Sequence, residues 1–381
     1  MRWDNLRLDS DGETTSPDGA GQVPMFERGA VVRTFDTPGF RGMTFYEVQA
    51  KSIVSHVPEA SRMPFRWTIN PYRGCQHACT YCFARNTHTY LDLDAGADFD
   101  SKVIVKVNAP ELLRKKLASA SWQGEHIAMG TNVDCYQRAE GRYQLMRGII
   151  AALRDAANPF SILTKGTLIL RDLDLLLEAA EVTEVGLNVS AAFVDKSLWR
   201  AIEPGTPAPE RRLEACATLN DAGLRCGVLM GPVVPFLSDS PAQLDAAVRQ
   251  IAEAGAPHVT PIVLHLRPGT REWFLGWLRT AHPELTDRYA ELYRRGAYAP
   301  KDYQARIAGQ VRELAEKYGV GRSTPRQARA IRDATASSTA ERSPDGDSPT
   351  GGQPAGAPAR QIPPSGPNLA ETPGHEQLTL M

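Results

Sequence analysis

Residues 70–85 read Asn70-Pro71-Tyr72-Arg73-Gly74-Cys75-Gln76-His77-Ala78-Cys79-Thr80-Tyr81-Cys82-Phe83-Ala84-Arg85, and this stretch decides the fold. It holds three of the chain's 6 cysteines, spaced Cys-x3-Cys-x2-Cys. Three thiolates in one short loop can hold one face of a four-iron, four-sulfur cube. One iron of such a cube is then left open to a small chelating molecule. The apolar run Arg66-Trp67-Thr68-Ile69 puts the loop at the end of a strand. A zinc site would need a fourth ligand, which His77 or His88 is near enough to supply. Structural zinc sites, however, usually pair cysteines in two separated knuckles, and the sequence has no second pair. A disulfide does not suit a chain that starts Met1-Arg2-Trp3-Asp4-Asn5-Leu6, without an apolar signal core. Cys135, Cys216 and Cys226 show no ligand spacing, and their default role is as small core residues.

Downstream of the loop the sequence becomes rhythmic. Val103–Val107 is a β-branched strand, and Asn108 and Pro110 open a helix over 111–120. Short apolar runs then alternate with helical segments: 126–129 and 141–156, 160–163 and 172–180, 185–189 and 209–222, 224–230 and 241–254, 258–266 and 270–280. Continuous apolar strands alternating with helices predict a parallel sheet with helices outside it. With the strand before the cysteines there are six repeats, and helices over 287–295 and 302–318 close the folded part. Segments 1–30 and 335–381 are polar and rich in Gly, Pro, Ser or Asp, so both are expected to be disordered. Residues 31–65 form a lead-in, and 66–320 the core domain with a helical C-terminal extension.

The 381 residues carry 43 Lys and Arg against 44 Asp and Glu, so the molecule as a whole exerts no strong pull on nucleic acid or membrane. No apolar run is long enough to span a bilayer. The expected compartment is the cytoplasm, whose reducing conditions suit an iron–sulfur cluster.

The cysteine loop, with Tyr81 directly before its last cysteine, resembles the signature of the radical S-adenosylmethionine (SAM) superfamily. The resemblance continues through Gly130-Thr131-Asn132-Val133-Asp134-Cys135-Tyr136-Gln137-Arg138-Ala139-Glu140 and Glu203-Pro204-Gly205-Thr206-Pro207-Ala208-Pro209-Glu210-Arg211-Arg212. Both stretches are similar to the subgroup around spore photoproduct lyase, with Val133 and Cys135 here replacing Thr and Pro. The flank from Met63 to Gly74 resembles an actinobacterial branch of that subgroup. The resemblance implies an α/β fold, a partial (β/α)6 barrel, with ligand chemistry at the C-terminal ends of its strands. It also implies a [4Fe-4S] cluster on Cys75, Cys79 and Cys82, with SAM chelated to the open iron. One electron, from a donor such as flavodoxin or ferredoxin, then splits SAM to methionine and a 5′-deoxyadenosyl radical, which takes hydrogen from a substrate.

Further residues follow from the same resemblance. Tyr81 belongs to the cofactor-binding set. Gly130 and Thr131 are expected at the SAM amino group, and Asn188 and Ser190 at the ribose, whose hydroxyls both can bond. An arginine can fork onto the SAM carboxylate, and the spacing favours Arg212 over Arg211. Lys165 is a candidate for a carboxylate or phosphate, and Gly231 allows close approach to the adenosine. His265 follows the last strand, where a histidine is more often structural than catalytic. Spore photoproduct lyase reverses a thymine dimer in DNA with a cysteine as hydrogen donor, a role open to Cys135. The terminal Glu376-Gln377-Leu378-Thr379-Leu380-Met381 resembles peptides that dock on the bacterial sliding clamp, through Gln377, Leu378, Leu380 and Met381. The leading substrate is therefore nucleic acid. The competing class is a non-catalytic iron–sulfur or zinc protein that tethers or senses.

Overall fold

The computed structural model describes residues 29–61 and 63–321. The expectations for residues 1–28, for the tail and for its docking peptide lie outside the described residues. Among the described residues there are eleven strands: β1 Val31–Arg33, β2 Thr44–Val48, β3 Val54–His56, β4 Trp67–Ile69, β5 Tyr72–Arg73, β6 Lys102–Lys106, β7 Ile127–Met129, β8 Phe160–Thr164, β9 Val185–Ser190, β10 Cys226–Val233 and β11 Val259–Val263.

Seven of these form one sheet in the order β11-β10-β9-β8-β7-β4-β3. Its six strands from β4 to β11 are parallel, and β3 adds an antiparallel edge. Strands adjacent in this sheet follow one another in the repeat, as simple crossover connections require. The expected alternation is present, with helices at Ala109–Leu117, Leu145–Asp155, Leu173–Val182, Pro209–Asp221, Pro241–Glu253 and Thr270–Ala281. Ile127, Met129, Phe160, Ile162, Leu187, Val189, Val228 and Met230 are buried in the main core. Strand periodicity of two turns the intervening residues inward. Partners in register share a face, so Ser161 and Gly186, Leu163 and Asn188, and Ser190 and Leu229 line the lumen in pairs. The lumen face thus mixes small and polar side chains with Leu163 and Leu229.

The structure differs from the sequence expectation in three places. The lead-in carries β1, β2 and β3, and a second sheet forms in the order β1-β2-β6-β5. The Val103–Val107 run belongs to this second sheet, because β6 pairs in parallel with β2. A separate small core of Tyr46, Val48, Leu91, Leu93 and Ile104 lies beneath it. The single helix expected over 141–156 is broken at Gln144, which has φ +50°. There Glu140, buried at the start of the first piece, accepts the amides of Leu145 and Met146 at 3.1 Å and so caps the second. A further helix, Lys196–Ile202, starts at Asp195, whose side chain accepts from the amides of Ser197 and Leu198.

Candidate functional site

The cysteine loop leaves the large sheet at Ile69 and joins the small one at once, because β5 pairs with β6. Both sheets therefore pin its stem. Gly74 follows with φ +77°, and a Cβ there would come within 2.5 Å of the Lys102 carbonyl oxygen. Only glycine meets both demands. Gln137 clamps the next peptide from two sides: its Oε1 accepts from the Gln76 amide at 3.1 Å, and its Nε2 donates to Gly74 O at 3.0 Å. Buried Arg85 donates through Nε and Nη2 to Cys79 O at 3.1 and 3.0 Å, and pairs with Asp100 at 2.8 Å. Thr80 N donates to Ile202 O, and Gly205 N donates to His77 O. A Cβ at Gly205 would lie 1.9 Å from Gln76 O, so the chain after Ile202 runs directly against the loop.

Burial pushes all three thiols of Cys75, Cys79 and Cys82 up from their ordinary values. Bound iron reverses that logic by deprotonating a coordinating thiol. Each of the two histidines considered for zinc has one ring nitrogen engaged elsewhere, while His88 Nδ1 is buried without a protein partner. His77 Nδ1 lies 3.3 Å from Asp134 Oδ2, and His88 Nε2 lies 2.9 Å from Lys102 O. Among the described residues, no three His, Cys, Asp or Glu side chains gather where one metal ion could sit. A cube spreads its thiolates over separate irons, so the loop suits a cluster better than a mononuclear metal. Several buried polar atoms around the loop have no protein partner: Asn70 Oδ1, both amide atoms of Gln76, Thr80 Oγ1 and Asn132 Oδ1. Buried polar groups normally find partners, so a polar ligand fits here.

The other sequence candidates fall into distinct groups. Ser190 and Arg212 join Tyr81 in one network centred on Glu203, a residue the sequence reading passed over. Glu203 is 1% exposed and accepts from the Tyr81 hydroxyl and from Arg212 Nη2. Arg212, also 1% exposed, donates in addition to Thr206 Oγ1, to Pro207 O at 2.8 Å and to Ser190 O at 3.2 Å. Its guanidinium is therefore occupied by the protein. Lys165 stands over the same network. Its Nζ is 2.9 Å from Ser190 Oγ, 4.0 Å from Glu203 Oε1 and 5.8 Å from the centre of the Tyr81 ring. Burial alone would raise the Glu203 carboxyl, but Arg212 and Lys165 outweigh it and hold the group below its ordinary value.

Thr131 bonds Thr68 across the β4 and β7 ends at 2.6 Å. Gly130, with φ +76°, packs so close to β8 that a Cβ would meet Leu163 O at 1.8 Å. Asn188 faces the lumen deeper than Ser190 and lies 3.0 Å from His258 Nε2. Asp134, which the sequence reading did not single out, ties the loop to β8. It accepts from Thr164 Oγ1 and Lys165 N at 2.6 Å each and pairs with His77. Burial opposes its charge, yet His77 and these hydrogen bonds hold it well below the usual carboxylate range. Cys135 is fully buried, with Asp134, Glu140 and Asp172 as its charged neighbours, whereas Lys165, Glu203 and Arg212 surround Cys79. The one sequence signal for Glu203 was its place in the Glu-Pro run nine residues before Arg212.

A family model described as the radical SAM superfamily matches residues 69–245. An uncharacterized protein of Mycobacterium tuberculosis is 50% identical over 318 residues, which cover 84% of this chain and 93% of that protein. An uncharacterized protein of Methanocaldococcus jannaschii is 34% identical over 174 residues, 46% of this chain and 62% of its own length. Among solved structures, a spore photoproduct lyase complexed with dinucleoside spore photoproduct superposes with a TM-score of 0.54 at 14% identity. That match covers 72% of this chain and 79% of the lyase. A second, a lyase mutant with bound AdoMet and the same dinucleoside, gives a TM-score of 0.52 at 16% identity, covering 69% and 78%. At these identities the likeness is one of fold.

Proposed function

The chain belongs to the radical SAM superfamily and uses a [4Fe-4S] cluster and SAM; on that premise we propose that it cleaves SAM reductively at a cluster held by Cys75, Cys79 and Cys82, and directs the resulting radical at nucleic acid. The observation that carries the site assignment is the pinned three-cysteine loop at the C-terminal end of six parallel strands, ringed by partnerless buried polar atoms. When bound, the cluster supplies SAM with the electron that splits it to methionine and a 5′-deoxyadenosyl radical. The protein's own part is to bind, orient and exclude water. Gln137, Arg85 and Gly205 hold the loop in one shape. Lys165 presents a cation at the lumen rim, suited to the SAM carboxylate, and Ser190 and Asn188 line the wall where ribose hydroxyls can bond. Arg212 then acts through Glu203 by holding the Tyr81 hydroxyl, and so orients the loop.

Nucleic acid as substrate, and a lyase-like reaction, draw support from the fold shared with a lyase whose ligand is a dinucleoside. The electron donor would be a small flavodoxin- or ferredoxin-type protein. The peptide through Gln377, Leu378, Leu380 and Met381 would tether the enzyme to the sliding clamp, and titration of the clamp with full-length and truncated chains tests that.

The decisive assay is anaerobic reconstitution, reduction and incubation with SAM, reading 5′-deoxyadenosine by mass spectrometry for wild type and Cys79→Ala. The product should depend on Cys79 and rise when a lesion-bearing oligonucleotide is added. A reducible cluster that yields no 5′-deoxyadenosine with or without nucleic acid would overturn the reading.

A further inference from the structure

We propose that the cleft between β11 and the helix Lys301–Lys317 seats one unstacked base of a single nucleic-acid strand, with the strand's phosphates crossing the basic loop beside it. The inference rests on the nucleic-acid reading above and adds to it the place where the polymer is gripped.

The cleft is half-open to solvent and holds about 470 Å³, room enough for a small organic group. Ile262 of β11 and Ala305 and Ile307 of the helix give it apolar walls, Gln304 an amide, and His265 and Tyr298 an aromatic mouth. The Gln304 Nε2 donates to Ala299 O at 2.7 Å, which fixes the amide in the wall and leaves its oxygen as an acceptor. The rings of His265 and Tyr298 lie 4.6 Å apart, and their backbones pair across an isolated bridge. Tyr298 is nonetheless 39% exposed, which leaves part of an aromatic side chain accessible beside the pocket. Burial and the neighbouring Arg267 push the His265 imidazole down to about 4, so the aromatic mouth is uncharged at neutral pH. Accessible aromatic side chains of this kind accept any base, because every base has a π face.

The cleft also sits in a local concentration of positive charge. Between residues 288 and 306 there are five cationic side chains against two anionic ones, in a chain whose net charge is −1. Arg294 is paired with Glu291 and Arg306 with Asp239. Arg295 and Lys301 flank Tyr298, exposed, with no ion pair among the described residues. Arg267 Nη2 donates to the Tyr298 hydroxyl at 2.6 Å, and its guanidinium lies 5.8 Å from the ring centre. Cations interleaved with an exposed aromatic are the footprint of single-strand binding. The loop that carries His265 also reaches the cysteine loop. His265 lies just past the C-terminal end of β11, and Thr270, five residues on, donates to Cys82 O at 3.0 Å.

Full-length reconstituted protein would be titrated, by fluorescence anisotropy, against two fluorescein-labelled strands of about 12 nucleotides, one with all four bases and one abasic throughout. The natural strand should bind about tenfold tighter than the abasic one, the contribution of a single stacked base. Tyr298→Ala should close that gap without weakening the abasic strand, and Tyr298→Phe should keep it. The double substitution Arg295→Ala/Lys301→Ala should weaken both strands alike and flatten the salt dependence by about 1.4 in log–log slope. Equal affinity of wild type for the two strands, or an undiminished gap in Tyr298→Ala, overturns the proposal. The same samples are assayed for 5′-deoxyadenosine. Product with no affinity gap removes the subsite and leaves the enzyme reading standing, whereas a gap with no product does the reverse.

Discussion

Replacing Arg212 by methionine separates two roles for that side chain, a ligand for the SAM carboxylate and a brace for the cluster loop. The guanidinium makes four hydrogen bonds inside the protein, to Pro207 O, Ser190 O, Glu203 and Thr206. Without it, Glu203 keeps Lys165 Nζ at 4.0 Å as its nearest cation, in a site where both Arg212 and Glu203 are 1% exposed. Removing one partner of a buried pair typically costs about 3–5 kcal/mol, most of it from the charge left behind. In a domain of this size each kcal/mol moves Tm by about 2–4 °C, so a fall of about 6–20 °C is expected. Thermal unfolding of the anaerobically reconstituted protein measures it, alongside SAM affinity by equilibrium binding. The double variant Arg212→Met/Glu203→Gln should recover at least half of the lost stability, because no uncompensated charge remains. If Arg212→Met melts within about 2 °C of wild type and loses SAM affinity, the brace reasoning is wrong and the guanidinium is a ligand.

The remaining predictions use the same structure. Burial, reinforced by Arg73, pushes the Lys106 amine down to about 7, while its Nζ stays bonded to Asn70 O. Between about pH 7 and 10 the unfolded chain therefore binds more protons than the folded one, so this group's contribution to stability rises with pH, by up to about 1.4 kcal/mol per unit. Urea unfolding across that window should show the slope in wild type and a flatter one in Lys106→Met; a fall in stability with pH specific to wild type would contradict it. Gly205→Ala drives a Cβ against Gln76 O and should lower iron content after reconstitution more than it lowers secondary structure by circular dichroism. Gln137→Ala strips two hydrogen bonds from the loop and leaves a buried amide and carbonyl unpaired, at about 1–3 kcal/mol each, so its cluster should bleach faster in air. Cys135→Ala should keep 5′-deoxyadenosine formation within about twofold of wild type, a change of under 1 kcal/mol in barrier. Intact SAM cleavage with lost substrate turnover would assign it the hydrogen-donor role.

The barrel was legible in the residues because each parallel strand turns an apolar face to the helices. Runs such as Phe160–Leu163 and Val185–Val189 therefore stand out between helical segments whatever the rest of the chain does. The cysteines were legible for a similar reason, since their spacing is local. Period two also put Asn188 and Ser190 on one face. Which partner each side chain meets was not legible. Asn188 meets His258, and Ser190 meets Lys165, through strands brought side by side by the sheet order. The break at Gln144 depends on a carboxylate, Glu140, that is itself held by Tyr72 and Arg171 from distant segments. Glu203 lies 122 residues from Tyr81 and gains its meaning only when the chain after Ile202 folds against the cysteine loop. Local chemistry, which needs only neighbours in sequence, was thus determined by the sequence alone. The polar network around the cluster site depends on burial and long-range approach, and only the tertiary structure decided it.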